Sequence, residues 1–328
     1  MKAAWYSRSG IASEVLEVGE LPTPEPGAGE LRVRLMTSGV NPSDVKSRRA
    51  RAPAWERIVP HSDGAGIIEA VGSGVPVARL GERVWIWNGQ WQRPLGTAAE
   101  FIVLPAAQAV ALPDNTDFAA GACLGIPALT AWQAVQLLGD VRGQTVLVTG
   151  AGSAVGLYAA QMAMAAGAEV IGTAGSAARA ALARGAGITR LIDYKAEPVA
   201  QRVREMTGGR GADAVIDMDF SSTAAIVAEG ALRSHGTIAC YGSNQMDAIP
   251  IPFRQFLYAS VSLRFFLVYD LLPQQRQLAL EGVTRLLEQG CLQHAIGARY
   301  PLDQIVAAHE AVEGGLVAGN VVLDVARD

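Results

Sequence analysis

Two kinds of hydrophobic pattern follow one another along the chain. Over the first 120 or so residues, apolar and polar positions alternate in short runs, as at 31–36, and glycine-rich turns separate these runs. Alternation with a period of two is typical of strands that bury one face. Further strands are predicted at 64–72 and 82–87. This part of the chain is therefore expected to form an irregular β-barrel.

After residue 117 the pattern changes to helical segments that alternate with short apolar runs. An Ala- and Leu-rich helix is predicted over 118–138, with a break around Gly125 and Pro127. Strands are then predicted at 145–149, 169–173, 190–193, 212–217 and 236–241, and helices at 155–166, 177–184, 198–207 and 223–232. Continuous apolar strands separated by helices are typical of a parallel sheet covered on both faces. The second part is therefore expected to be a doubly wound α/β domain. A helix at 273–288 follows, and a final strand at 320–325 is expected to return to the first domain.

Composition and charge narrow the class of protein. The chain has 328 residues, 50% of them hydrophobic and 18% charged, with a net charge of −4. Two globular domains fit this length, and the absence of a basic run argues against a nucleic-acid partner. The sequence has no apolar stretch long enough for a membrane span, and its first residues do not resemble a signal peptide. Three distant cysteines (Cys123, Cys240 and Cys291) predict a reducing compartment, so a cytoplasmic location is expected.

A glycine-rich turn follows the first strand of the second domain. The apolar run 146–149 leads directly into GAGSAVG at 150–156, where a helix is predicted to begin. Glycines at such a turn let backbone N–H groups approach a pyrophosphate, and the helix N-terminus favours its charge. The spacing is not a strict GxGxxG and could serve a purely structural turn. Its place within alternating strands and helices favours dinucleotide binding.

The end of the next strand predicts which dinucleotide is bound. A site for NAD usually carries an acidic residue there to bind the ribose hydroxyls. The sequence reads IGTAGS at 171–176, without an acid, and Arg179 follows in the next helix. Ser176 and Arg179 could bind a 2′-phosphate through charge-assisted hydrogen bonds. The alternative is that Arg179 is an ordinary solvated helix residue. NADPH is therefore the expected cofactor.

These segments together resemble one known family. The matching stretches are GVNPSD at 39–44, PHSDGAGIIEAVGSGV at 60–75, GIPALTAWQAV at 125–135, LRSHGTIACYGS at 232–243 and AHEAVEGGLVAGNVVL at 308–323. In this order they resemble the zinc-free quinone oxidoreductase branch, which includes zeta-crystallin, of the medium-chain dehydrogenase/reductase superfamily. The resemblance implies a GroES-like catalytic domain (1–122 and 268–328) and a Rossmann domain (123–267). It also implies a homodimer that pairs through the apolar region around 249–266.

The resemblance implies a set of cofactor contacts. The pyrophosphate is expected against Gly152, Ser153, Ala154, Val155 and Gly156, and the 2′-phosphate among Gly175, Ser176 and Arg179. Tyr194 is expected near the adenine ribose, Gly242 and Ser243 beside the cofactor, and Leu267 and Val268 near the nicotinamide with their backbone. Asn320 stands where relatives often carry a lysine that contacts a phosphate. Three further departures are Ser153 and His61, where relatives commonly have glycine, and Lys46, where they often have tyrosine. Lys46 and His61 either add polarity to the substrate cleft or point to solvent.

The positions that hold zinc in the alcohol dehydrogenase branch carry other residues in this chain. They align with Asn41, Ser62 and Ile126, none of which supplies the thiolate or imidazole that zinc prefers. His61 lies next to one of these positions, but a single histidine without partners is more often a loop residue. The expectation is a site without a metal.

The expected chemistry is hydride transfer from NADPH to an electron-poor acceptor. Without a strong Lewis acid, the acceptor must already be conjugated, as in a quinone or an α,β-unsaturated carbonyl. Asn41 and Thr130 are candidate hydrogen-bond donors to the acceptor oxygen. Asp44 and Asp63 are candidates for the polar scaffold of the cleft. The leading hypothesis is a quinone reductase. An enone or enal reductase, and a low-turnover NADPH-binding protein with a structural or RNA-binding role, remain the alternatives.

Overall fold

A computed structural model describes residues 1–245 and 247–326. The chain divides into two compact units, Met1–Ile126 with His294–Asp328, and Pro127–Gln293. Among the described residues, no helix combines the length and apolar character that crossing a membrane requires.

Strands and helices are numbered in chain order. The strands are β1 (Lys2–Trp5), β2 (Glu17–Glu20), β3 (Glu30–Val40), β4 (Asp63–Val71), β5 (Arg83–Ile86), β6 (Phe101–Pro105), β7 (Ala109–Ala111), β8 (Thr145–Val148), β9 (Glu169–Ala174), β10 (Arg190–Asp193), β11 (Ala212–Asp217), β12 (Leu232–Cys240), β13 (Ser262–Phe265), β14 (Ile296–Pro301) and β15 (Asn320–Asp324). The α-helices are α1 (Ala12–Val15), α2 (Pro42–Ala50), α3 (Phe118–Gly121), α4 (Leu129–Leu138), α5 (Ala154–Ala165), α6 (Ala177–Gly185), α7 (Val199–Met206), α8 (Phe220–Ile226), α9 (Phe253–Tyr258), α10 (Pro273–Glu288) and α11 (Ile305–Glu313).

The first unit is built on a seven-stranded sheet with the order β14-β15-β3-β4-β5-β7, to which β6 adds by pairing with β3. Leu31, Val33 and Leu35 on β3 are fully buried, while the residues between them are partly exposed. This is the alternation that the sequence predicted for a strand with one buried face. The last strand, β15, runs antiparallel to β3 with Val321 opposite Val40, so the predicted return of the chain to the first domain is confirmed.

The second unit is built on a six-stranded sheet with the order β10-β9-β8-β11-β12-β13. All of its strand pairs are parallel, and every residue of β8 is buried. The predicted doubly wound parallel sheet is confirmed. The helix predicted over 223–232 instead occupies 220–226 and continues as a π-helical turn, Val227–Ala231. Gly230, with φ of 91°, ends it because that backbone region suits glycine.

The two units meet in the sequence at a different place from the one expected. Residues 268–293 group with the second unit, whereas the expected boundary lay at 267/268. The segment contains α10, which packs closely on α4. A Cβ at Gly282 of α10 would lie 2.0 Å from the Trp132 ring of α4. This close helix packing places the segment with the Rossmann-like unit.

Candidate active site

The glycine-rich turn lies where the sequence predicted it, between β8 and α5. Gly150 has a φ of 66°, a conformation that favours glycine. Ser153 caps the 12-residue helix α5, because its Oγ accepts a hydrogen bond from Gly156 N (3.2 Å). A Cβ at Gly156 would lie 2.1 Å from Gly150 O, so the turn closes tightly on the first turn of the helix. The arrangement presents backbone N–H groups and a helix N-terminus at the carboxyl edge of the sheet.

The predicted adenosine-side residues lie together beside this turn. A Cβ at Gly152 would be 2.2 Å from Arg179 O, so the turn contacts the first residues of α6 directly. Ser176 caps α6 by accepting from Arg179 N (3.3 Å). The Tyr194 ring covers Gly175, where a Cβ would lie 2.5 Å from Cζ. The structure therefore brings the turn and its four predicted partners into one surface.

Several other residues that were predicted to contact the acceptor or the cofactor also belong to the second unit. Thr130 is buried in α4, directly after the π-helical turn Leu124–Ala128 that accounts for the predicted break at Gly125 and Pro127. Val268 is buried and its carbonyl accepts from Arg276 Nη2, whereas Leu267 is exposed. Gly242 follows β12, and a Cβ there would lie 2.7 Å from Met218 O.

A buried carboxylate at the end of β11 was not found by the sequence reasoning. Asp217 Oδ1 accepts hydrogen bonds from Thr149 Oγ1 (3.2 Å), Thr223 Oγ1 (2.6 Å) and Asp219 N (3.0 Å). Burial raises the pKa of Asp217, and these hydrogen bonds oppose that rise. The available signal was an acid that ends an apolar strand at the edge where the glycine-rich turn lies. This residue links the end of β11 to the residue that precedes Gly150.

The first unit contributes a polar cluster at the end of β3. Asn41 precedes α2, and its backbone N–H donates to Asp44 Oδ2 (2.8 Å). Its side-chain Nδ2 donates to Asp63 Oδ2 at the start of β4 (2.8 Å). All three residues are buried. Both carboxyls named as candidates for the polar scaffold therefore contact Asn41, and the contact with Asp63 fixes which end of the amide carries the donors.

Burial changes the acidity of both carboxyls. It raises the pKa of Asp44 to about 7, against the hydrogen bonds from Asn41. It also raises the pKa of Asp63 well above its usual value; the Asn41 amide opposes this rise, and the nearby Asp44 charge adds to it. The Ile126 backbone N–H lowers it by a smaller amount. Near neutral pH the cluster therefore carries less negative charge than two ordinary carboxylates.

His61, whose place the sequence left open between the cleft and solvent, is fully buried. Its φ of 77° lies in the region that glycine prefers. Its Nδ1 is 2.9 Å from Ser38 Oγ, and its Nε2 is 2.9 Å from Nε2 of His309 on α11. These contacts hold a side chain in a backbone conformation that is costly for any residue with a Cβ.

The hydrogen bonds around His61 have one consistent direction. Thr97 Oγ1 donates to Asp63 O (2.5 Å), so the Ser38 hydroxyl must donate to Thr97 Oγ1 (2.8 Å). Ser38 Oγ then accepts from His61 Nδ1, and His309 Nε2 donates to His61 Nε2. No donor among the described residues reaches His309 Nδ1. Both imidazoles are neutral in this arrangement.

Two other predicted positions lie in the first unit. Lys46 on α2 is exposed. Asn320 is buried at the start of β15, where its backbone N–H (2.7 Å) and its side-chain Nδ2 (3.1 Å) both donate to Ala295 O. These bonds fix the Asn320 amide to the strand beside it.

The donor chemistry does not fit zinc. The three aligned positions carry an amide, a hydroxyl and an alkyl side chain, on Asn41, Ser62 and Ile126. The adjacent His61 already uses both ring nitrogens in hydrogen bonds. In the part of the chain that the structure describes, no group of three or more His, Cys, Asp or Glu side chains is arranged to hold a metal ion. Zinc sites need such soft or imidazole donors.

The fold and these residues define a class of protein. A GroES-like unit with a polar cluster, joined in one chain to a Rossmann unit with a glycine-rich turn, is the architecture of a medium-chain dehydrogenase/reductase. The family described as "Alcohol dehydrogenase GroES-like domain" matches residues 27–114, and the family described as "Zinc-binding dehydrogenase" matches residues 154–285.

Similar proteins narrow the class further. A quinone oxidoreductase of Pseudomonas aeruginosa is 33% identical over an alignment of 322 positions that covers 94% of this chain and 95% of that protein. A solved NAD-dependent alcohol dehydrogenase superposes with a TM-score of 0.89 at 32% identity, covering 99% of this chain and 100% of that one. A mycobacterial protein solved in complex with NADPH has a TM-score of 0.88 at 30% identity, with coverage of 99% and 100%. The chain belongs to the quinone oxidoreductase family of the medium-chain dehydrogenases/reductases.

Proposed function

We propose that this protein reduces quinones by hydride transfer from NADPH without a metal ion. The observation that carries the cofactor choice is the contact of Gly152 with Arg179 beside the end of β9. That strand ends in Ala174 and is followed by Gly175 and Ser176, so no carboxylate there repels a 2′-phosphate. The relative solved with NADPH supports the same cofactor, and the relative named quinone oxidoreductase supports the acceptor class.

The residues around the turn fit NADPH. The backbone at 152–156 and the N-terminus of α5 would hold the pyrophosphate. Because Ser176 Oγ accepts from Arg179 N, its hydroxyl proton can be donated to the 2′-phosphate, beside the Arg179 guanidinium. The half-exposed Tyr194 ring would lie beside the adenine ribose. When bound, NADPH supplies the hydride.

The chain's own polar groups would orient and stabilise the acceptor. The Asn41 amide keeps one N–H beyond the one that Asp63 accepts, and we assign it to the acceptor oxygen. Thr130, which is buried in α4, is a second candidate donor. Asp44 and Asp63 hold the Asn41 backbone and side chain in place. Protonation of the reduced product is left to solvent.

Steady-state oxidation of NADPH tests this function. We expect turnover with a small benzoquinone or naphthoquinone, and a KM for NADPH well below that for NADH. Arg179→Ala should raise the NADPH KM about 10- to 100-fold, the effect of losing charge-assisted hydrogen bonds, and leave the NADH KM nearly unchanged. Turnover with enones but not with quinones would show that the substrates are enones and not the proposed quinones. An absence of turnover with any conjugated acceptor would favour a binding or structural role.

We also propose a homodimer. In the second unit, β13 lies at the edge of the sheet, and nearby on the chain Phe253, Leu257 and Tyr258 of α9 are more than half exposed. An unpaired strand edge together with exposed large apolar side chains is typical of an interface. A second copy of this chain is the proposed partner.

A further inference from the structure

Three loops meet at the carboxyl edge of the parallel sheet in the second unit. They follow β8 (149–153), β11 (217–219) and β12 (241–245). The proposed NADPH site uses the first and third of these loops. The middle loop carries two carboxylates, Asp217 and Asp219, that have no role in the proposed reaction.

Asp217 holds the middle loop to the first. Its Oδ1 accepts from Thr149 Oγ1 (3.2 Å), and Thr149 Oγ1 in turn accepts from Met218 N (3.0 Å). The Met218 side chain fills the space beside Gly150, where a Cβ would lie 2.1 Å from its sulfur. The glycine-rich turn therefore takes its position from the loop after β11.

Asp219 holds the middle loop to the third through two parallel contacts with Asn244. Oδ1 accepts from Asn244 N (2.9 Å), and Oδ2 accepts from Asn244 Nδ2 (2.8 Å). Ser221 and Ser222 donate to the same carboxylate (2.5 and 3.1 Å). Although burial alone would raise the pKa of Asp219, these hydrogen bonds outweigh it and hold the pKa below its usual value.

The link between Asp219 and Asn244 adds to backbone contacts that are already there. Phe220 N donates to Gly242 O (3.1 Å), and Tyr241 N donates to Asp217 O (3.1 Å). These bonds fix the start of the third loop. Beyond Gly242, the contacts of Asn244 with Asp219 attach the loop to the sheet edge, while Ser243 Oγ accepts from Gln245 N (3.1 Å) within the loop.

We propose that Asp219 is a positioning residue for the cofactor: its two-point clamp on Asn244 holds the 242–244 loop in the conformation that binds NADPH. This inference rests on the proposed NADPH site. The carboxylate touches no cofactor atom in this scheme and acts only through Asn244. Its loss should therefore weaken NADPH binding while chemistry at saturating NADPH continues.

The chemistry of the clamp allows a swap experiment. Asn244→Asp places two carboxylates against each other, and we expect the NADPH dissociation constant to rise about tenfold or more, the effect of losing hydrogen bonds to a charged group. Asp219→Asn should be mild, about threefold or less, because Asn244 can turn its amide to present oxygen. The double variant D219N/N244D restores one amide and one carboxylate. It should bind NADPH within about threefold of the wild type.

Two variants separate the clamp from other effects. Gln245→Glu adds the same charge one residue further along the exposed loop, and we expect binding within about twofold of wild type. Asn244→Ala removes only the side-chain contact and should raise the dissociation constant severalfold. NADPH fluorescence titration gives the affinities, and steady-state rates should show a raised KM for NADPH with little change in kcat. Thermal melting checks that each variant is folded.

The swap can overturn the inference. If D219N/N244D binds as weakly as N244D, or if Q245E is weakened equally, added charge explains the result and the clamp does not. If N244D and N244A bind NADPH as the wild type does, the loop needs no clamp. Failure of the wild-type protein itself to bind NADPH would instead contradict the proposed function.

Discussion

The buried pair of His61 and His309 should make the first unit sensitive to mild acid, and His309→Gln should reveal it. Burial lowers the pKa of His309 from 6.5 to about 3, with a smaller contribution from the Arg48 charge. Burial also lowers the pKa of His61 well below its usual value, and a proton on His309 would lower it further. The unfolded chain takes up these protons near pH 6.5 and the folded chain does not. The stabilisation is therefore complete above pH 6.5 and is lost as the pH falls below it.

The size of the effect follows from these pKa values. Between pH 6.5 and pH 5 the unfolded chain gains stability of about 1.36 kcal/mol per pH unit at His309, whose pKa in the folded chain is about 3. This histidine therefore costs the folded unit about 2 kcal/mol at pH 5. Asp44 and Asp63 act in the opposite direction, because their raised pKa values let the folded chain keep protons that the unfolded chain releases. The pH dependence of the free energy of unfolding is thus the difference between the opposing contributions of the histidines and the carboxyls. Only a comparison of variants isolates the contribution of the histidines.

Gln at position 309 keeps a donor for His61 Nε2 but does not titrate. We expect H309Q to lose about 2 kcal/mol less stability than wild type between pH 7.5 and pH 5. The charge that faces the pair is present in both proteins: Arg48, which contributes to the lowered pKa of His309, ion-pairs with Glu313.

Urea unfolding followed by tryptophan fluorescence measures this difference. Five of the six tryptophans belong to the first unit and only Trp132 to the second, so the signal reports mainly on the unit that holds the pair. His235→Gln, at an exposed histidine of the second unit, is the matched control because it makes the same substitution away from the pair, and H309Q is compared with it as well as with the wild type. If H309Q and wild type lose the same stability between pH 7.5 and pH 5, the buried pair is not neutral and the reasoning fails.

Three further variants test the remaining parts of the scheme. Gly152→Ala puts a Cβ 2.2 Å from Arg179 O and should weaken NADPH binding about tenfold or more in a fluorescence titration. Gly185→Ala, at the end of α6 where the space is open, is the control and should bind NADPH as the wild type does. If G152A also binds NADPH as the wild type does, the glycine-rich turn is not part of the site. Asn41→Ala should lower kcat with a quinone about 100- to 1000-fold, the usual effect of losing an oxyanion donor, and an unchanged kcat would exclude that role. Phe253→Glu should convert the dimer to a monomer, as measured by light scattering. Leu316→Glu, at another highly exposed apolar residue, is the control and should leave the dimer intact. A wild-type protein that is monomeric would contradict the proposed dimer.

The sequence predicted the parts of the fold that depend on local pattern. The all-buried strand β8, the alternating strand β3 and the turn at Gly150 follow from apolar periodicity and glycine placement. The helix predicted over 223–232 begins three residues earlier, and it closes as the π-helical turn Val227–Ala231 because Gly230 takes a positive φ inside a run of residues that otherwise favour a helix. The boundary near residue 267 was misplaced because the packing of Gly282 is a long-range contact that no local pattern reports.

Polar partners were harder to predict than the elements that carry them. The end of β3 places Asn41, but its pairing with Asp63 depends on the register of β3 against β4, which sets Gly39 opposite Asp63. The contact of His61 with His309 joins residues 248 positions apart. A single histidine next to a position that lacks a zinc ligand gives no sign of such a partner, so the sequence could not choose between burial and solvent.

The acidity of the cluster around Asn41 suits an amide that is proposed to stabilise negative charge. The surroundings of Asp44 and Asp63 supply amide and backbone donors, and burial outweighs those donors. A hydride acceptor gains negative charge during reduction, and two full carboxylates beside Asn41 would oppose that charge. With a pKa of about 7 at Asp44 and a higher than usual pKa at Asp63, the cluster can keep protons near neutral pH and hold the amide without opposing the charge that the amide is proposed to stabilise.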